Sequence, residues 1–123
     1  MSKTIEVTLP KYVTPRNAWR ELIHSAASDS MTSAGISYSD REQLSVEVCL
    51  YMDEGMLSFH DVDNRLKDVL DALQGRAGGP KSVHRFRELI PNDRQVYRAT
   101  VAKRAPPPGA QSGGTLTISV IDG

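Results

Sequence analysis

The sequence predicts one α+β (mixed α/β) domain spanning residues 1–123, built as an about four-stranded sheet with two main helices in the order β-α-β-α-β-β. Three observations predict it. Strict apolar alternation runs from Leu44 to Met52, a helical apolar period replaces it from Val62 to Leu73, and alternation returns twice before the end of the chain. At 123 residues there is room for one core and too little chain for a second.

The elements follow in order. Ile5 to Leu9 alternates and stops at Pro10, which predicts a short strand. Pro15 stands where a helix can begin, and Trp19, Leu22, Ile23 and Ala26 share one helical face that is expected to fade in the Ser-rich stretch from Ser25 to Ser39. Leu44, Val46, Val48, Leu50 and Met52 point to one side of a half-buried strand, with Ser45, Glu47, Cys49 and Tyr51 on the other. Asp53-Glu-Gly55 breaks that strand. Val62, Leu66, Val69, Leu70 and Leu73 then form a single apolar stripe on a helix that stops near Gly75. Residues 76–80 read as a loop and Ser82 to Leu89 as a short basic helix. Val96 to Lys103 and Thr115 to Ile121 alternate as two strands, expected to pair as a hairpin across a Pro- and Gly-rich connection.

Composition narrows the class. With 39% apolar and 24% charged residues the chain is not of the disordered type, and no apolar run approaches the length of a membrane span. The N-terminus has no signal-peptide core, so a cytoplasmic protein without a membrane partner is expected. Cys49 is the only cysteine, which excludes an internal disulfide and limits any metal site to oxygen or imidazole ligands. Net charge is zero, yet its distribution is uneven: Arg76 to Arg104 holds eight basic side chains against Glu88 and Asp93. Such a field suits a polyanionic partner, and it equally suits a solvated surface.

The segment from His60 to Leu73 carries the chemistry. Asp61 and Asp63 flank Val62 at the helix entry, so both carboxylates can project to one side while Val62 turns inward. Lys67 follows Asp63 by four residues on the same polar face. Two carboxylates aimed together call for a cation or a shared proton. The alternative is ordinary capping of a helix by Asp with a surface Asp–Lys pair. Asp93, in Pro91-Asn-Asp-Arg-Gln95 at the mouth of the next strand, is either a further ligand or a turn residue. No Ser-His-Asp or Cys-His arrangement competes, and His24, His60 and His84 are scattered.

The pattern formed by Asp61, Asp63, Asn64, Lys67, Asp71 and Leu73, then Asp93, Gln95, Val96 and Lys103, resembles the RusA-type Holliday junction resolvases over residues 44–121. Two departures are a long connection between Gly75 and Pro91 and Asn92 in place of an acidic residue. The resemblance implies a structure-selective endodeoxyribonuclease of DNA recombination and repair, with Asp61, Asp63 and Asp93 as ligands of Mg²⁺ (Mn²⁺ as substitute) and Lys67 as a catalytic cation at the phosphate. Branched DNA, a four-way junction, is the implied substrate, with no small-molecule cofactor. A carboxylate-held Mg²⁺ supplies a nucleophilic water and neutralises phosphate charge, which is what in-line phosphodiester hydrolysis needs. Arg85, Arg87, Arg98 and Lys103 are the expected DNA contacts. Paired nicks on opposing strands predict a two-fold homodimer, with the Leu44–Met52 strand or the Trp19 helix as its interface. The alternatives are a catalytically weak or inactive branched-DNA-binding module of the same fold and a metal-free interaction protein.

Overall fold

A computed structural model describes residues 3–76, 86–110 and 113–121. Alternating burial makes β1 from Thr4–Leu9, with Ile5, Val7 and Leu9 on the buried side. Helix α1 covers Arg16–Ala34 and β2 covers Leu44–Tyr51; a single turn, α2, spans Glu54–Leu57, and α3 spans Val62–Leu73. A 3-10 turn at Asp93–Gln95 leads into β3, Val96–Arg104, and Gly114–Val120 forms β4. Among the described residues the four strands make one sheet in the order β1-β4-β2-β3, with β4 antiparallel to both β1 and β2 and β3 parallel to β2. The α+β class is as expected.

Several details differ from expectation. The helix after Pro15 runs through most of the Ser-rich stretch in which it was expected to fade: Trp19, Ile23, Ala27 and Met31 are all buried, and they carry α1 to Gly35. Gly35 adopts φ 66° and Ile36 N–H closes back on the Met31 carbonyl, ending the helix with a left-handed cap. Small and serine side chains hid this face because Ala27 supplies burial without bulk. The expected β3–β4 hairpin is absent, since β2 lies between those strands. Alternation reveals a strand but not its neighbour, and β2-α3-β3 is a parallel crossover of the kind that needs an intervening helix. Of the short helix expected over Ser82–Leu89, residues 82–85 lie outside the described residues and Phe86–Leu89 are not helical.

One face of the sheet is covered by α1 and α3, where Val46, Val48, Leu50, Leu116 and Ile118 meet Trp19, Ile23, Val69 and Leu73 in the core. Across the strands, Thr8, Thr115 and Cys49 share register on the other face, as do Glu6, Thr117, Glu47 and Thr100. That face is polar and carries no helix among the described residues. Gly114 enters β4 at φ 140°, where a Cβ would run into the Cys49 carbonyl oxygen. Of the two interfaces foreseen for a dimer, β2 is an inner strand with both edges paired, while α1 buries Trp19 in the core and leaves Leu22 45% exposed on its outer side. No helix among the described residues is long and apolar enough to cross a membrane.

Polar atoms fasten α1 to α3. The carboxylate of Asp68 is fully buried and accepts from Arg16 (Nη2, 2.8 Å; Nε, 3.1 Å) and Arg20 (Nη2, 2.8 Å; Nε, 3.0 Å). Arg65 Nε stands 3.2 Å from its second oxygen as an ion pair without hydrogen-bond alignment. Asp68 therefore holds the Arg16 guanidinium above its ordinary pKa. The buried face of α3 is thus partly charged, Arg65 and Asp68 joining Val69, Ala72 and Leu73, which leaves Leu66 and Leu70 of the foreseen stripe only half-buried. Removing one partner from a buried ion cluster strands the rest, so Asp68→Asn should lower the unfolding free energy by about 3–5 kcal/mol in urea titrations. Asp71→Asn, whose carboxylate sits 3.5 Å from Arg20 at the rim, should cost under about 1 kcal/mol.

Candidate functional site

The first half of the site is the corner between α2 and α3. Asp61 occupies the N-cap position of α3 with extended backbone, yet its carboxylate makes no capping bond. It instead accepts from Asn64 Nδ2 at 3.4 Å. Asp63 lies in the first turn of the same helix, where the backbone dipole favours an anion. Asp61, Asp63 and Lys67 are all exposed, and among the described residues no ion pair joins Asp63 to Lys67. The two bland roles, a cap and a routine surface pair, are therefore not the ones these side chains take.

The corner itself is tied by several side-chain contacts. His60 is buried, and its Nδ1 accepts from Arg65 Nη1 at 3.1 Å, which puts the imidazole proton on Nε2. Its ring meets Tyr12 edge-on with centroids 4.5 Å apart, and the Arg65 guanidinium lies 4.8 Å from the centre of the Tyr12 ring. The charged cluster around Asp68 thus reaches through Arg65 to the residue before Asp61. Lys103 donates to the carbonyl oxygens of Leu57 and, at 2.7 Å, of His60. Phe59, next to His60, is 82% exposed.

The second half is the turn carrying Asp93. Asn92, not Asp93, performs the capping: its side chain accepts from Arg94 N–H at 2.9 Å, and Gln95 Oε1 accepts from Asn92 N–H at 2.9 Å. Gln95 is buried and its Nε2 donates to the carbonyls of Ser39 (2.7 Å) and Glu42 (2.9 Å), tying the turn to the loop before β2. Glu42 is itself fixed by Lys3 and Ser39, which hold its carboxyl below the usual range. Asp93 is left exposed with its carboxylate free of cap duty.

The two halves stand at opposite ends of β3. Lys103, at the far end of that strand, touches the His60 carbonyl, whereas Asp93 precedes its first residue. Val96 to Lys103 is seven strand steps, about 23 Å. The twelve residues of α3 give the same answer: Asp61 is at its start, while Leu73 at its end accepts from Leu89 and Ile90, two residues before Asn92. A helix of that length runs about 18 Å. Among the described residues no group of three or more His, Cys, Asp or Glu could hold a metal ion. Within one chain Asp93 thus stands at the start of β3, and Asp61 and Asp63 stand near its end. The side chains at both ends offer carboxylate oxygens, the donor type that suits hard cations such as Mg²⁺.

Among the described residues, the expected basic contacts stand on different parts of the fold. Arg85 lies outside the described residues. Arg87 is exposed beside α1, its carbonyl 2.8 Å from His24 Nε2, while Arg98 pairs in register with Ser45 and points to the open face of the sheet. Lys103, foreseen as a DNA contact, falls on the same strand parity as Val101, and its ammonium is engaged by backbone carbonyls of the α2–α3 corner. The parity of Ala99, Val101 and Lys103 was the available signal for this. Arg65 and Tyr12 carried none, since their importance comes only from contacts across the fold.

Burial, then Arg65 and Lys103, hold the His60 imidazole below its ordinary pKa of 6.5, against a smaller opposing pull from Asp68. A depressed folded value means that the unfolded chain takes up the proton first on acidification. The stability this provides is complete above pH 6.5 and is lost as pH falls through the folded value. The unfolding free energy should drop as pH falls below 6.5, and His60→Gln should flatten that part of the profile in parallel urea titrations.

No protein-family model matches the chain and no curated protein matches it, so its role has to be read from the arrangement of its own residues.

Proposed function

We propose that the chain is a Mg²⁺-dependent endodeoxyribonuclease of the RusA type that resolves four-way DNA junctions as a two-fold homodimer, each active site joining Asp61 and Asp63 of one copy to Asp93 of the other. The observation that carries this reading is the separation of the carboxylates along an exposed edge strand. β3 is nine residues long, borders the sheet and buries few of its side chains, so its outer row of N–H and C=O groups is a template for a second strand. Antiparallel pairing of two β3 edges about a two-fold axis carries the Asp93 end of one copy to the Lys103 end of the other. Asp61 and Asp63 are there.

Carboxylates freed from capping supply oxygen donors, and Mg²⁺ held among them activates water and neutralises phosphate charge. Lys67, one turn along α3 from Asp63, is placed to meet a phosphate oxygen or the departing alkoxide. Two such sites about one axis match the approximate two-fold symmetry of a junction and give paired cuts. A chain that stays monomeric keeps only half a site, which favours the second reading, a branched-DNA-binding module.

Subunit mixing tests the shared site directly. Asp61→Asn and Asp93→Asn should each abolish cleavage of a synthetic four-way junction in Mg²⁺. Mixed, unfolded together and refolded, they should regain single-strand nicking, because one site of the heterodimer is then intact. If the mixture stays dead while both proteins fold and dimerise, the shared site is wrong; if the unmutated protein binds junctions without cutting them in Mg²⁺ or Mn²⁺, the binding module is the better description. Lys67→Ala should slow cleavage at least about tenfold, measured as single-turnover rate, with junction affinity within about twofold.

A further inference from the structure

Lys103 sits at a position where a strand facing helices ordinarily places an apolar residue. Ala99 and Val101 share its parity, and its backbone is in register with Leu50 of β2, whose side chain is buried. Its half-buried ammonium reaches the carbonyl oxygens of Leu57, the last residue of α2, and of His60, the residue before Asp61. A single-turn helix followed by a bend leaves such carbonyls without intrahelical partners, and a cation at that end satisfies them. The same corner is gripped through its side chains by Arg65 on the His60 ring, so Lys103 supplies the matching grip on its backbone.

We infer that Lys103 is a positioning residue: its ammonium clamps the α2–α3 corner onto the end of β3 and so sets where Asp61 and Asp63 stand, and it does not contact DNA. This rests on the nuclease reading above. It deepens that reading by making β3 the element that locates both halves of the site, with Gln95 fixing Asp93 at its start and Lys103 fixing Asp61 at its end. A lysine whose donors are committed to two backbone carbonyls releases few counterions when DNA binds, which separates this role from a phosphate contact.

Lys103→Met keeps the stem and removes the charge, and Lys103→Arg restores donors to the same carbonyls. Hydrogen–deuterium exchange of the full-length protein should show the amides of Phe59 to Arg65 exchanging at least about tenfold faster in Lys103→Met, with β1 and β4 unchanged and the arginine variant near the original. No change at the corner, or a uniform rise along the chain, overturns the clamp. Junction affinity measured without divalent metal across a salt series should stay within about twofold with an unchanged slope; a slope shallower by about 0.9 makes Lys103 a phosphate contact and overturns the inference. Junction cleavage should lose at least about tenfold in kcat at constant KM, partly regained by arginine, and an unchanged kcat also overturns it. If the unmutated protein cuts no junction, the nuclease reading fails by itself, and the exchange experiment still decides whether Lys103 holds the corner.

Discussion

One carboxylate, that of Asp68, sits out of water between the two long helices, and it faces three guanidinium groups. Such a group is unstable there unless every neighbour is in place, so the arginines and the aspartate constrain one another more tightly than apolar contacts of equal area would. Arg16 and Arg20 come from α1 and Arg65 from α3, so the cluster sets the distance and rotation between the helices. Through Arg65 it also reaches His60 and Tyr12, and from there the backbone that delivers Asp61. The apolar core gives the fold its bulk, whereas this cluster decides how α3 is rotated and therefore which of its residues face solvent.

The second constraint is topological. A parallel β2-α3-β3 unit obliges α3 to run back against the strands it connects, which puts its first turn at the end where β3 finishes and its last turn where β3 starts. Residues at the helix entry and residues at the strand entry are therefore at opposite ends of the layer. Asp61 and Asp63 belong to the first place and Asp93 to the second. No side-chain rotamer spans that gap, which is why the proposed site draws on a second copy.

Both ends of β3 are nonetheless organised within the single chain. At the strand entry, Asn92 and Gln95 satisfy the turn's backbone, and Gln95 bonds the loop before β2, leaving Asp93 free. At the helix entry, Asp61 leaves its capping position unbonded while Lys103 and Arg65 hold the approach to it. In each case the residue that does the structural work is a neighbour of the carboxylate. The edge strand between them is left with an open row of backbone groups, a feature that proteins usually blunt.

What was legible in the sequence was local. The alternation of β2 and the apolar period of α3 located both elements to within a residue or so, because burial on one face writes its period into the chain. That Asp61, Asp63 and Lys67 stay exposed was equally readable, since the apolar period of α3 assigns the buried positions to other residues. The full length of α1 was not, because Ala27 and Met31 among serines look no different from a loop. Neighbour relations were beyond reach: alternation cannot say that β2 separates β3 from β4, nor that Lys103 turns inward to a corner 43 residues earlier in the chain. The distance from Asp61 to Asp93 was decided only by the crossover, for it depends on the direction in which a helix returns across a sheet, a property of packing between elements and not of any one of them.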